Sequence, residues 1–265
     1  MTQAANAMMD PWVAVESLMT ARKELFPLKE LLAVLAISAG VGLVPVSLNA
    51  QQTAARVAAL APGERIANLD TLKDELKHYH DCTCKCGCYA RDLNQQADRA
   101  VAFLRWRAAH RQPKEKLALV LDIDETTLSN YEEMVKAGFA YDSKAFGAWV
   151  DSAAAPAIPG TLRLYNEAQR LGVRIFFLTG RAEAQRGATE QNLRGQGFDG
   201  WQQLILRAPA QATWTALAYK SVERAAIAAE GYRIVLNVGD QWSDLRGKPA
   251  AEYSVKYPDP YYFLR

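Results

Sequence analysis

The sequence predicts an α/β fold with a doubly wound parallel sheet, an N-terminal helical extension and a small insert. Three observations carry that prediction. Residues 117–122, 173–178 and 232–238 are short runs rich in aliphatic, β-branched and aromatic residues, the pattern of strands buried on both faces. Each run stops abruptly at polar residues: Asp122 and Asp124, then Thr179, Gly180 and Arg181, then Gly239, Asp240 and Asp244. The chain has 265 residues, half of them hydrophobic, which suits one α/β domain with extensions.

The N-terminal elements come first. Residues 31–48, LLAVLAISAGVGLVPVSL, are an uncharged apolar run of 18 that follows Arg22, Lys23 and Lys29. Basic residues before such a run, with Leu48-Asn49-Ala50 after it, read as an export signal over residues 1–50, with Met19 an alternative start. Two other readings stand: an uncleaved membrane anchor, since 18 residues just span a bilayer, and a buried core helix. Gly40, Gly42 and Pro45 weigh against an anchor helix. The expectation is a periplasmic or secreted protein, membrane-attached only if this segment is retained.

Residues 51–115 form the helical extension. Apolar residues recur at helical spacing over 64–77 (Ile66, Leu69, Leu72, Leu76) and over 91–110 (Leu93, Ala97, Val101, Leu104). His110, at the end of the second stretch, reads as solvated. Between the two lies HYHDCTCKCGCYARD, which holds all four cysteines, Cys82, Cys84, Cys86 and Cys88. In an oxidising compartment an even count suggests two disulfides, with three pairings open. His78 and His80 keep a soft-metal site open as well, although the spacing is poor for zinc, and free surface thiols are the third reading.

Residues 116–265 carry the α/β core. Period two places Asp122 and Asp124 on one side of the first strand's carboxyl end, where open α/β sheets bind ligands. Two crowded carboxylates repel, so the site calls for a cation, a shared proton or both. Asp122, Asp240 and Asp244 offer hard oxygen ligands suited to Mg²⁺. A net charge of +2, with no basic run interleaved with aromatics, points away from a nucleic-acid polymer as partner.

DIDET, LTGR, Lys220 in AYKSVERAAIAAEG and GDQWSD, in this order, resemble the four motifs of the haloacid dehalogenase (HAD) superfamily. LILRAP, YKSVER, GDQWSDLRG and the tail VKYPDPYYFL are similar to its acid phosphatase subfamily IIIB, a resemblance running from about Asp70 to the C-terminus. That subfamily includes bacterial secreted and lipoprotein acid phosphatases and plant vegetative storage proteins. The resemblance implies a HAD-like core and a Mg²⁺-dependent phosphomonoesterase. Asp122 would be the nucleophile that forms an aspartyl-phosphate, and Asp124 the acid and then the base. Thr179, Gly180 and nearby backbone N–H groups would hold the phosphoryl oxygens, with Lys220 as a fixed charge. The metal would lie on Asp122, the backbone carbonyl of Asp124, Asp240 and Asp244. Arg181 stays open between a phosphate contact and a structural ion pair.

The substrate expected is a small phosphomonoester, nucleotides included. The insert over 131–159 is too short for a large lid. Its Tyr131, Phe139, Tyr141, Phe146 and Trp149 read mainly as core, with one or two free to stack on a leaving group. Two rivals remain. One is a catalytically weak storage or binding protein of the same fold, disfavoured by the retained Asp122, Asp124 and Lys220. The other is a metal- or redox-handling protein that works through the cysteine tract.

Overall fold

The computed structural model describes residues 66–82 and 88–264. The apolar run over 31–48, the start of the first helical stretch, Cys84 and Cys86 lie outside the described residues. Among the described residues, no helix is long and apolar enough to cross a membrane.

Five strands form one parallel sheet: β1 (Lys116–Leu121), β2 (Arg174–Ala182), β3 (Gln203–Arg207), β4 (Tyr232–Gly239) and β5 (Tyr253–Lys256). Their spatial order is β3-β2-β1-β4-β5, and every neighbouring pair is parallel. The chain steps outward from β1 to β2 and β3, then returns to the other side of β1 for β4 and β5. The order therefore reverses between β1 and β4, and their carboxyl ends flank the crevice this topology opens.

The side-chain period of two sorts the sheet into two faces. Leu117, Leu119 and Leu121 of β1, with Ile175 and Phe177 of β2, pack with α2 (Cys88–Ala109) and α5 (Pro159–Arg170). Ala118, Val120, Phe176 and Leu178 point the other way and pack with Tyr219 and Ile227 of α7 (Ala216–Ala229). Helices thus cover both faces, as a parallel sheet requires. Asp122 continues the even-numbered series, toward α7, the helix that carries Lys220.

The second N-terminal stretch is an integral layer of the core. Tyr89, Leu93, Ala97, Ala100 and Leu104 of α2 are buried in the larger cluster. Gly160 allows α5 close to α2, because a Cβ there would stand 2.8 Å from Ala97 Cβ. The first stretch differs from expectation. Its helix α1 (Leu69–Asp81) starts later, capped by the Asn68 side-chain Oδ1, which accepts the Asp70 N–H at 2.9 Å. Ile66 and Leu69 are 80% and 65% exposed, and α1 buries no residue fully. Only its later turns reach the core, through Leu76 and Tyr79.

The insert folds as α3 (Tyr131–Lys136) and α4 (Ser143–Asp151). Tyr141 is exposed rather than core. Tyr131 and Phe139 instead join His80 and Tyr261 in an aromatic cluster, with Phe139 stacked on Tyr261 at 5.9 Å between centroids. Among the described residues the remaining α-helices are α6 (Arg186–Gly195) and α8 (Trp242–Leu245). His110 is exposed past the end of α2, its Nδ1 2.7 Å from the Trp106 carbonyl.

Candidate active site

Beyond β1 the chain turns tightly. The Ile123 carbonyl accepts the N–H groups of Thr127 at 2.8 Å and Leu128 at 2.9 Å, and Thr127 Oγ1 donates to the Asp122 carbonyl at 2.6 Å. Glu125 sits in the turn with φ of +53°, a left-handed conformation that costs a non-glycine residue and recurs at functional sites. The turn keeps Asp122 and Asp124 pointed into the crevice, both largely withdrawn from solvent.

From the α7 side, Lys220 Nζ donates to Asp122 Oδ1 and to Asp244 Oδ1, each at 2.5 Å. Lysine, only 4% exposed here, is rarely buried unless paired. One carboxylate oxygen from each of Asp122, Asp240 and Asp244 lies within 4.8 Å of the others. Asp244 reaches this point because Gly239 has no side chain: a Cβ there would overlap the Asp244 carboxylate. The backbone of Asp244 is held from behind. Its carbonyl accepts Arg224 Nη1 at 2.6 Å and Asn237 Nδ2 at 2.8 Å, while Arg224 also donates to the carbonyls of Arg246 and Pro249. Asp240 Oδ1 accepts Thr126 Oγ1 at 3.1 Å, which ties the β4 loop to the β1 turn.

Asp124 lies in a different electrostatic setting. Arg181 Nη2 and Nε donate to its Oδ1 at 2.7 and 3.0 Å, and Asn130 Nδ2 does so at 2.9 Å. Thr179 Oγ1 lies 3.4 Å from Oδ2. Arg181, open between two roles on sequence grounds, forms the ion pair with Asp124. Asn130 is itself oriented, its Oδ1 accepting Trp149 Nε1 at 2.9 Å and its amide groups donating to Glu125. Trp149 of the insert is therefore linked to Asp124 through a single residue.

The charges follow from these contacts. Burial pushes the Asp122 carboxyl well up; Lys220 opposes this, while Asp244, Asp240 and Asp124 add to it. Asp240 is raised by burial and by the charges of Asp244 and Asp259. Burial also raises Asp124, but the charge and hydrogen bonds of Arg181, with Asn130, outweigh it and hold this carboxyl below its usual range. Burial works against the Lys220 ammonium as well, and Asp122 and Asp244 more than offset it. Three carboxylates face one ammonium, so the pocket holds excess negative charge that a divalent cation would neutralise. An all-oxygen carboxylate donor set fits a hard cation.

Every residue singled out near the strand ends thus gathers at the carboxyl edge of β1, β2 and β4. Gly180 is exposed, and a Cβ on it would meet nothing within 4 Å, so its backbone borders open space. The sequence assigns no role to the positioning residues Arg224, Asn237, Asn130, Thr126 and Gln241, although Thr126, Arg224 and Gln241 lie within DIDET, YKSVER and GDQWSD. Arg224 ends the YKSVER motif and follows Lys220 by four positions, on the same helix face. Of the cysteine tract, Cys82 and Cys88 are described, and a hydrogen bond with Cys82 raises the Cys88 thiol. Tyr89, next to Cys88, packs 5.6 Å from Tyr261 and feels the charges of Glu125 and Asp240. Tyr89, at the described end of the tract, is therefore closer to the site than its sequence distance suggests.

Residues 43–265 match the family described as HAD superfamily, subfamily IIIB (Acid phosphatase). Acid phosphatase 1 of Solanum lycopersicum is 43% identical over 148 residues, a match spanning 55% of this chain and 58% of that protein. The Stem 31 kDa glycoprotein of Glycine max is 38% identical over 66% of this chain and 68% of its own length. Among solved structures, the class C acid phosphatase of Bacillus anthracis superposes with a TM-score of 0.60 at 22% identity, over 74% of this chain and 86% of that one. At that identity the likeness shows the fold.

Proposed function

Since this chain belongs to subfamily IIIB of the HAD superfamily, the acid phosphatases, we propose that it hydrolyses small phosphate monoesters through an aspartyl-phosphate on Asp122. The observation that carries this reading is the placement of Asp122. It is fixed 2.5 Å from Lys220, inside a cluster of three carboxylates, beside an Asp124 aimed by Arg181. A structural acid cluster has no need of a second carboxylate held separately by an arginine.

Attack of the Asp122 carboxylate on phosphorus forms the acyl-phosphate bond and breaks the bond to the leaving oxygen. Asp124, which Arg181 and Asn130 hold ionised in the free site, would take up a proton as the anionic phosphate enters and give it to that oxygen. In the second half Asp124 takes a proton from water, whose oxygen attacks the phosphorus and releases phosphate and free Asp122. Lys220 and the N–H groups around Thr179 and Gly180 face the charge that develops on the non-bridging oxygens. Mg²⁺, held by Asp122, Asp240 and Asp244, would polarise the phosphoryl group and offset repulsion between two anions.

The retained Asp122, Asp124 and Lys220 speak against a storage protein without turnover. Export fits the apolar run over 31–48, with residues 1–50 as its signal, 51–115 as the helical extension and 116–265 as the core. Fractionation of expressing cells tests export. The chemistry is tested by Asp122→Asn, which should lower turnover of an aryl phosphate about a thousandfold or more. Activity within tenfold of the parent would refute a covalent role for Asp122.

A further inference from the structure

The tail of the chain meets the carboxylate cluster at Gln241, whose side chain joins Asp240 to Asp259 and Leu264, and Asp259 also acts directly on Asp240. Gln241 is buried and directly follows Asp240. Its Nε2 donates to Asp240 Oδ2 at 2.7 Å and to Asp259 Oδ2 at 2.6 Å, and its Oε1 accepts the Leu264 N–H at 3.0 Å. Asp259 Oδ1 accepts the Tyr261 N–H at 2.9 Å. An amide nitrogen carries two hydrogens; its two short contacts here are to carboxylates, one in the cluster and one in the tail, with the Tyr262 carbonyl a longer third acceptor at 3.4 Å. With Thr126 on Oδ1 and Gln241 on Oδ2, Asp240 is oriented at both oxygens, and one of the two holds depends on residues 259–264.

We propose that residues 259–264 act as a clasp that sets the orientation of Asp240 through Gln241. Metal affinity then depends on the tail, and metal occupancy tightens the tail in return. This rests on the reading that Asp122, Asp240 and Asp244 hold a divalent cation. Gln241 is a positioning residue: it contacts a ligand of the ion rather than the substrate. Hydrogen-bond partners that orient a ligating carboxylate typically set metal affinity by about 10- to 100-fold. Linkage makes the effect reciprocal, so an ion that selects one orientation of Asp240 also stabilises the tail geometry that enforces it. The side-chain chemistry at 241 is specific. Glutamate would bring a third carboxylate between two others, and an isosteric methionine would leave both without this donor.

The test measures Mg²⁺ binding by calorimetry, with Mg²⁺ alone as the probe, on the full chain and on Gln241→Met and Leu264→Pro. The proline removes the N–H that Gln241 Oε1 accepts, at an exposed position where losing the leucine side chain leaves no buried cavity. Hydrogen exchange at the Tyr261 and Leu264 amides is followed with and without Mg²⁺. Gln241→Met is expected to weaken Mg²⁺ binding about 10- to 100-fold, and Leu264→Pro by a smaller factor. Mg²⁺ should slow exchange at Leu264 in the parent but not in Gln241→Met. A merely structural residue would lower the melting temperature of the metal-free protein and leave Mg²⁺-dependent exchange intact. Equal Mg²⁺ affinity in the parent and both variants overturns the clasp alone. A parent that binds no Mg²⁺ overturns the metal reading and the clasp with it. If Gln241→Met does not fold, exchange in the parent and the affinity of Leu264→Pro decide.

Discussion

Asp244 occupies the volume that a side chain on Gly239 would need, five residues earlier at the end of β4. The glycine at this strand end is thus a condition for the third carboxylate to enter the cluster. The cluster in turn makes Lys220 and Asp122 neighbours of a cation site rather than an isolated ion pair.

Gly239→Ala should therefore disable the site while leaving the sheet in place. The methyl group meets the carboxylate directly, so Asp244 must withdraw by an ångström or more. Displacements of that order at a reacting centre cost about a hundredfold in rate. Turnover and Mg²⁺ affinity should fall together, with far-ultraviolet circular dichroism unchanged. Parental turnover in the alanine variant would show that Asp244 is dispensable.

Lys220→Met should expose what the ammonium balances. Removing one partner of a buried ion pair strands the others, at about 3–5 kcal/mol. The loss should be seen in chelator-treated protein by denaturant unfolding. Saturating Mg²⁺ should recover part of it, because the cation supplies the missing positive charge and binds the folded state alone. An unchanged unfolding midpoint in chelator would contradict the charge balance inferred for the pocket.

Metal removal should abolish turnover reversibly. Excess EDTA on metal-stripped protein should leave no activity on an aryl phosphate, and Mg²⁺ should restore it. Ca²⁺ should restore little, since its larger and looser coordination misplaces the reacting groups. Full activity in EDTA is the outcome that would remove the metal from the mechanism.

Stability should depend on pH in two opposed ways. Glu167 is held down at about 2 by hydrogen bonds from Arg170 and Arg105, and Glu115 is lowered by Arg107. These groups stabilise the fold above the ordinary carboxylate range, near ~4.3, and that contribution is lost as pH falls toward about 2. Asp122, Asp240 and Glu125 are raised mainly by burial, so the folded metal-free protein binds their protons more readily than the unfolded chain. Their contribution is full at low pH and fades as pH rises through their folded values. Melting temperatures of metal-free protein should thus rise from pH 7 to about 5 and drop below about 4. Mg²⁺ should flatten the neutral side, and a monotonic profile without metal would contradict these shifts.

What the sequence determined by itself was local or periodic. Alternation along residues 117–122 was enough to aim Asp122 and Asp124 at one side of a strand end, and the ordered strand-end motifs were enough to assign the family-level fold. Helical spacing identified α2 and its buried face at Leu93, Ala97 and Leu104. The same spacing in α1 showed an apolar face but could not show what covers it, and Ile66 and Leu69 proved exposed. Periodicity reports a stripe, whereas burial needs a partner from elsewhere in the chain.

Only the tertiary structure decided which charges meet. Nothing local pairs Arg181 with Asp124, 57 positions earlier, whose Oδ1 accepts from two of its nitrogens. Nor does anything local show that three backbone carbonyls, those of Asp244, Arg246 and Pro249, surround the guanidinium of Arg224. No local feature shows that the tail returns to meet Gln241. The physical reason is common to all three. Burying a charge or an amide requires a partner, and the partner that satisfies it is set by how the sheet brings distant loops together, which no local pattern encodes.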